Sequence, residues 1–508
     1  MTDGSARQTT GPSPTRRGRV VTALMLTMAL AAMDTTIVAT ALPQVVGDLG
    51  GLAYFSWLFS VYLLAQTVTI PIYGKLADTY GRKRVLIVGV LIFLLGSGLS
   101  ALSWDMVALI AFRGIQGIGA GSIGAVVTTI VADLYNLSER GKVQGRMASV
   151  WGISAVVGPT MGGAFADYAS WRWVFLVNLP VGAAALALIV RYLHEKVPER
   201  TRHRVDYLGA ALVMTTAGLF VFALLQGGTA WPWLSAPSFI VFGCFALAAA
   251  ATVIVERRAA EPIVPGWVWS RRTLLGGNLT MACLGLLVIG PSAYLPTYGQ
   301  GVLGLSAIVA GLVLATMSMT WPIAASQANK LYLRIGFRDT SLIGVALCLV
   351  AIAIFLLQPA TPSVWPVVAS TLVLGAGCGL LSVPTLVGIQ SHVEWNERGV
   401  ATSSIMFNRF LGQSIGAAVF GAIANATLVR ALADAPAGLR GELPKDLNGI
   451  SEVLDGANGP AMTYLRTAIE AATHNVYLGL TVAALLGVVV LLFVMPRKIT
   501  VVSHDNSQ

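Results

Sequence analysis

The sequence predicts an all-α membrane protein of fourteen transmembrane helices: two pseudo-symmetric six-helix bundles plus two inserted helices between them. Three observations carry this reading. Of 508 residues, 56% are hydrophobic and 11% charged, about half the charged share of an ordinary soluble domain. Apolar runs of roughly twenty residues, the length a helix needs to cross hydrocarbon, recur along the whole chain. A loop motif in the first half returns in the second at the same register. Together these exclude a multidomain soluble enzyme and a disordered chain.

Taken in order, residues 1–18 read as a basic, disordered cytoplasmic tail. The spans follow at 19–42, 54–77, 85–103, 106–133, 143–166, 174–193, 207–226, 236–255, 273–298, 306–327, 340–358, 365–388, 401–427 and 474–495. The first is too long for a signal-peptide core and reads as a retained helix. The first bundle therefore occupies 19–193 and the inserted pair with its cytoplasmic linkers 194–272. The second bundle occupies 273–495, and a cytoplasmic tail 496–508. Residues 428–473 hold Pro436, Gly438, Gly441, Pro444, Gly449, Gly456 and Gly459. They read as an irregular extracytoplasmic loop leading into a helix near 462–472.

Charge sets the orientation. The chain carries 33 Lys and Arg against 23 Asp and Glu, a net +10. In a soluble protein that excess would suggest nucleic acid. Here Arg113 and Arg409 lie within spans. Arg172, Arg430, Arg440, Lys445 and Arg466 fall on one side, and every other basic residue on the side of the N-terminus. Lys and Arg gather in cytoplasmic loops, so both termini are expected inside. The net charge is then a topology signal, and no nucleic-acid partner is expected. Cys244, Cys283, Cys348 and Cys378 sit in apolar runs without metal-ligand spacing. No cofactor, metal or catalytic constellation is expected. Gly119, Gly121 and Gly124 match a dinucleotide pattern but lie inside a span with no preceding strand. Gly412, Ser414 and Gly416 match a nucleophile elbow without a base to activate the serine.

The repeat pairs Lys75, Leu76 and Gly81 with Lys330, Leu331 and Gly336, an internal symmetry of the kind transporters show. In the first copy, Gly74 and Gly81 allow a tight turn and close helix approach. Asp78 can accept from a neighbouring helix N-terminus, and Arg82 can bridge carboxylates. The same charges also read as ordinary positive-inside decoration. The second copy has Leu333 and Phe337 where the first has acid and arginine, so no latch is expected there.

Asp34 is the one acid deep in a span. A charge at membrane depth costs roughly 2.5–3.5 kcal/mol on insertion scales and is expected to be paired. Arg113 lies at a matching depth in the fourth span. The pair reads either as a chargeable proton site or as a static ion pair. Arg409, in the thirteenth span, has no deep acid in its own bundle. An anionic headgroup, a carbonyl cluster and substrate all remain open as its partner. Pro159 removes a backbone donor and predicts a helix kink, while Gly158, Gly162 and Gly163 permit close packing. Transporter sites lie near the midplane between repeats. Candidate substrate-lining residues are Tyr62, Gln66, Gln116, Asn278, Met317, Trp321, Met406, Phe407 and Arg409.

With these residues the chain resembles a major facilitator superfamily transporter of the fourteen-span drug:proton antiporter group, EmrB/QacA-like. The likeness rests on the Gly74–Arg84 loop, Met33-Asp34 through Pro43, and Arg113 through Gly121. It also rests on Gly158-Pro159 through Gly163, and on Trp171 through Gly182 with Asn178 and Pro180. The resemblance implies a proton-gradient-driven exporter of lipophilic small molecules in a bacterial cytoplasmic membrane, acting as a monomer without cofactor. It implies that Asp34 and Arg113 couple protons, and that Asp78, Arg82 and Asp133 close a cytoplasmic gate against the thirteenth span. The Pro159 motif would accompany export. Lacking acids in the second bundle, the chain is expected to favour monocationic or neutral compounds. A dedicated exporter of a lipid, siderophore or endogenous antibiotic is the alternative on the same scaffold.

Overall fold

The computed structural model describes residues 14–50, 55–195, 206–228, 230–358, 363–436, 438–439 and 459–499. Among these, fourteen long helices follow one another: α1 Pro14–Leu49, α2 Phe55–Tyr80, α3 Arg82–Ala101, α4 Met106–Leu134, α5 Leu137–Tyr168, α6 Asn178–Tyr192, α7 Tyr207–Gln226, α8 Ala236–Arg258, α9 Arg272–Gly301, α10 Ala307–Ile335, α11 Phe337–Leu356, α12 Val364–His392, α13 Arg398–Ala433 and α14 Pro460–Val489. Single turns at Trp173–Leu176 and Trp267–Ser270 lead into α6 and α9. Thirteen of the long helices are apolar enough to cross a membrane by length and composition. The remaining one, α5, carries charge in its first turns and packs along both α1 and α10. A polytopic membrane protein follows.

Packing repeats with a shift of eight helices. In the first half α1 lies against α5 and α6, and α4 against α2 and α3. In the second, α9 lies against α13 and α14, and α12 against α10 and α11. The halves meet along two seams, α2 with α13 and α5 with α10, which the same shift exchanges. The loop repeat has a backbone basis. Gly81 and Gly336 both take φ near +90°, at 92° and 93°, a conformation that side chains resist. Each ends one helix and begins the next within a residue.

The inserted pair breaks this symmetry. α7 and α8 form a hairpin joined by a Thr216–Thr252 hydroxyl contact of 2.7 Å and a tilted Phe220–Phe245 ring pair with centroids 4.8 Å apart. α7 rests on α2 and α13, covering that seam alone.

Hydropathy marked where helices cross lipid rather than where they end. Helix α1 begins at Pro14, so residues 14–18 are helical, and the rest of the expected tail lies outside the described residues. The expected external loop 428–473 is shortened at both ends. α13 continues to Ala433, and the helix expected near 462–472 is the first part of α14. A formed helix propagates at one hydrogen bond per residue, and Ala-, Leu- and Arg-rich flanks sustain it beyond the bilayer. Positions 437 and 440–458 lie outside the described residues, as do linker positions 196–205 and the tail beyond 499.

Candidate functional site

Asp34 on α1 is fully buried, as is Arg113 on α4. Arg113 Nη1 donates to Asp34 Oδ2 at 2.5 Å. The second carboxylate oxygen accepts from Gln116 Nε2 at 2.8 Å and Asn178 Nδ2 at 3.4 Å. Gln116 also accepts from Arg113 Nη1 at 2.8 Å. Asn178 donates to Ser97 Oγ at 3.0 Å, and Ser97 in turn donates to the Phe175 carbonyl. The Arg113 guanidinium lies 4.2 Å from the Tyr62 ring centroid, a cation–π distance. Five helices (α1, α2, α3, α4 and α6) thus supply one charged cluster. Loss of either member of the pair would leave the other as an uncompensated buried charge, which is costly.

The amides were only partly legible. Gln116, a substrate-lining candidate, hydrogen-bonds both Asp34 and Arg113. Asn178 stood in a quoted motif without an assigned role. Its signal was a polar residue at the start of α6, among apolar neighbours.

A second cluster closes the end of the molecule formed by the α2–α3 and α12–α13 connections. Asp78 Oδ1 accepts from Arg82 Nη2 at 3.0 Å and from the Gly399 N–H at 2.9 Å. Its Oδ2 accepts from the Val400 N–H at 2.8 Å. The carboxylate therefore caps the N-terminus of α13, where orphan N–H groups and the helix dipole favour negative charge. Arg82 Nε lies 3.1 Å from Asp133 Oδ2, and its guanidinium stacks 3.5 Å from the Trp395 ring centroid. Asp133 Oδ1 accepts from Arg398 Nη1 at 2.5 Å. Gly74 and Gly399 face one another's helices here. A Cβ at Gly74 would overlap Ser403, and one at Gly399 would overlap Asp78. The structure brings Gly74, Asp78, Arg82 and Asp133 together, and Gly81 supplies the turn. Arg398 and Trp395 were missing from the sequence reading.

The opposite seam closes with neutral groups. Asn329 Nδ2 donates to the Ser138 carbonyl and Tyr332 Oη to the Leu137 carbonyl, each at 2.7 Å. Arg140, outside the membrane-crossing part of α5, donates to the Ala132 and Tyr135 carbonyls and to Ser391 Oγ. Burial and the nearby Arg398 charge lower its pKa to about 10, so it stays charged at neutral pH.

Pro159 sits inside continuous α5. Gly158 and Gly162 line the crossing with α1. A Cβ at either would overlap the Thr36 or Thr40 hydroxyl, and Thr36 Oγ1 donates to the Ser154 carbonyl at 3.0 Å. Gly163 faces no neighbour within 4 Å. Of the remaining substrate-lining candidates, Met317, Trp321, Met406 and Phe407 belong to one core cluster of the second half. Tyr62 is fully buried against Arg113. Gln66, Asn278, Met317 and Met406 are buried, while Phe407 packs against the second-half core. Arg409 and Trp321 do meet, the guanidinium lying 5.3 Å from the ring centroid.

The family model described as Major Facilitator Superfamily matches residues 24–206 and 200–417. The chain is 35% identical over 423 residues to Multidrug resistance protein 3 of Bacillus subtilis, covering 83% of this chain and 82% of that one. It is 32% identical over 524 residues to Multidrug transporter protein MdtP of the same organism, covering 97% and 96%. In fold it is similar to the crystal structure of the human organic anion transporter MFSD10. The TM-score is 0.62 at 16% identity, over 94% of this chain and 100% of that one. By the family-model match and the identity to these relatives, this chain belongs to the Major Facilitator Superfamily.

Proposed function

We propose that the protein exports lipophilic small molecules, neutral or monocationic, in exchange for protons. Its place would be a bacterial cytoplasmic membrane, with both termini in the cytoplasm. The names of the two Bacillus relatives support drug export. Proton exchange rests on one observation: the single acid deep in a span, Asp34, is fully buried against Arg113 and two amide donors. In this reading the halves rock about the two seams. Asp34 takes a proton while the site faces outward and substrate leaves. It gives the proton up when the site faces inward and substrate enters. The membrane potential adds roughly 2.3 kcal/mol per charge per 100 mV. The central portions of the last six apolar runs, 273–298 through 474–495, hold no acid, which supports neutral or singly charged cargo.

The test is Asp34→Asn in proteoliposomes with an imposed pH gradient and a panel of neutral, monocationic and dicationic dyes. Gradient-driven efflux is expected to fall to background while equilibrium dye binding persists. Efflux at the wild-type rate overturns the coupling role, and preferential export of dications overturns the cargo class.

A further inference from the structure

We propose that the groove between α5 and α10 binds the headgroup of an anionic phospholipid. The groove encloses about 450 Å³. Lys142, Arg146 and Ser149 of α5 face Ile323, Gln327 and Lys330 of α10 across it, and no acidic residue is among its lining. Three cations with hydroxyl and amide donors form a phosphate-binding set.

The internal symmetry says where the missing anion should come from. Lys330 is the repeat partner of Lys75. Lys75 Nζ reaches Glu261 Oε2 at 3.4 Å, and Glu261 belongs to the inserted segment, just beyond α8. That segment covers the α2–α13 seam and leaves the α5–α10 seam uncovered. No ion pair joins Lys142, Arg146 or Lys330 to an acid among the described residues. Where one seam has a protein carboxylate, the other presents its cations to the surroundings.

In a polytopic membrane protein, exposed apolar side chains flanking such cations are suited to lipid. Along the same faces, Ile153 is 59% exposed, Met319 66% and Ile323 64%. An apolar track therefore runs from the basic end of the groove toward the membrane interior. Free phosphate would use the cations alone, whereas a phospholipid uses both the cations and the track. Placing the lipid in the cytoplasmic leaflet rests on the orientation proposed above; binding itself does not.

The experiment is native mass spectrometry of the delipidated full-length protein with phosphatidylglycerol and phosphatidylcholine added at equal concentration. Phosphatidylglycerol adducts are expected to exceed phosphatidylcholine adducts several-fold. Lys142→Gln/Arg146→Gln/Lys330→Gln should bring the two to parity. Lys142→Arg/Lys330→Arg and the control Lys75→Gln should keep the preference. Parity in the wild type, or preference retained in the triple Gln variant, overturns the proposal. So does displacement of the lipid by millimolar inorganic phosphate, or a dimer lost in the triple variant, which would assign the groove to free anion or to a second copy. The readout needs no proton gradient, so it stands or falls apart from transport. Labelling of Lys330→Cys by a membrane-impermeant maleimide in intact cells checks orientation independently.

Discussion

At the scale of single residues, Arg113 does three things for Asp34. It supplies the counter-charge, holds Gln116 in place and stacks on Tyr62. A lysine offers a point charge without the planar donor fork. Arg113→Lys is therefore expected to fold but to lose at least about tenfold in gradient-driven transport, equivalent to about 1.4 kcal/mol. Initial rates in proteoliposomes check this. Asp34 and Arg113 were legible because a charge inside an apolar run has few innocent explanations. Gln116 and Asn178 were not, since buried amides are common and only the fold shows whom they serve. The Arg398–Asp133 pair was beyond reach for another reason: its partners lie 265 residues apart.

At the scale of elements, α13 begins on a borrowed cap. Asp78, from another helix, accepts from both the Gly399 and Val400 N–H groups. Asp78→Ala orphans these donors and leaves Arg82 with one carboxylate instead of two; each buried group left unsatisfied costs about 1–3 kcal/mol. The expected result is an opened seam. A cysteine at Ser403 should react faster with a soluble maleimide in Asp78→Ala than in the parent. The α1–α5 crossing makes a matching prediction. Gly158→Val has no room beside Thr36, so it should depress both transport and thermal stability, whereas Gly163→Ala, facing open space, should change neither. Unfolding temperatures and dye efflux of the two variants check this. Each crossing span was visible in the sequence as an apolar run, but helix ends were not, because hydropathy reports lipid contact and helical hydrogen bonding continues past it.

At the scale of the whole molecule, the hydrogen bonds joining the two six-helix groups gather at one end, so motion between the groups must break them. A Cβ at Gly141 would lie 2.8 Å from the Asn329 Cβ, about 1 Å inside the separation a disulfide spans, so the two helices must part slightly to admit the bond. Gly141→Cys/Asn329→Cys, made with Cys244→Ser, is expected to abolish transport when oxidised and recover it on reduction. Transport by the oxidised protein would show that this seam does not open. The Lys75–Lys330 repeat forecast the two-fold plan, but not that the inserted pair would cover only one seam; loop composition carries no information about which side a hairpin folds toward.

One small contact has a wider consequence. Glu195, just after α6, accepts from the backbone N–H groups of Arg82 and Lys83, while Glu261, just after α8, holds Lys75. The flanks of the inserted pair are thus tied to the end of α2 and the start of α3, so a pair of distance probes placed on α8 and α3 is expected to keep its separation throughout the cycle.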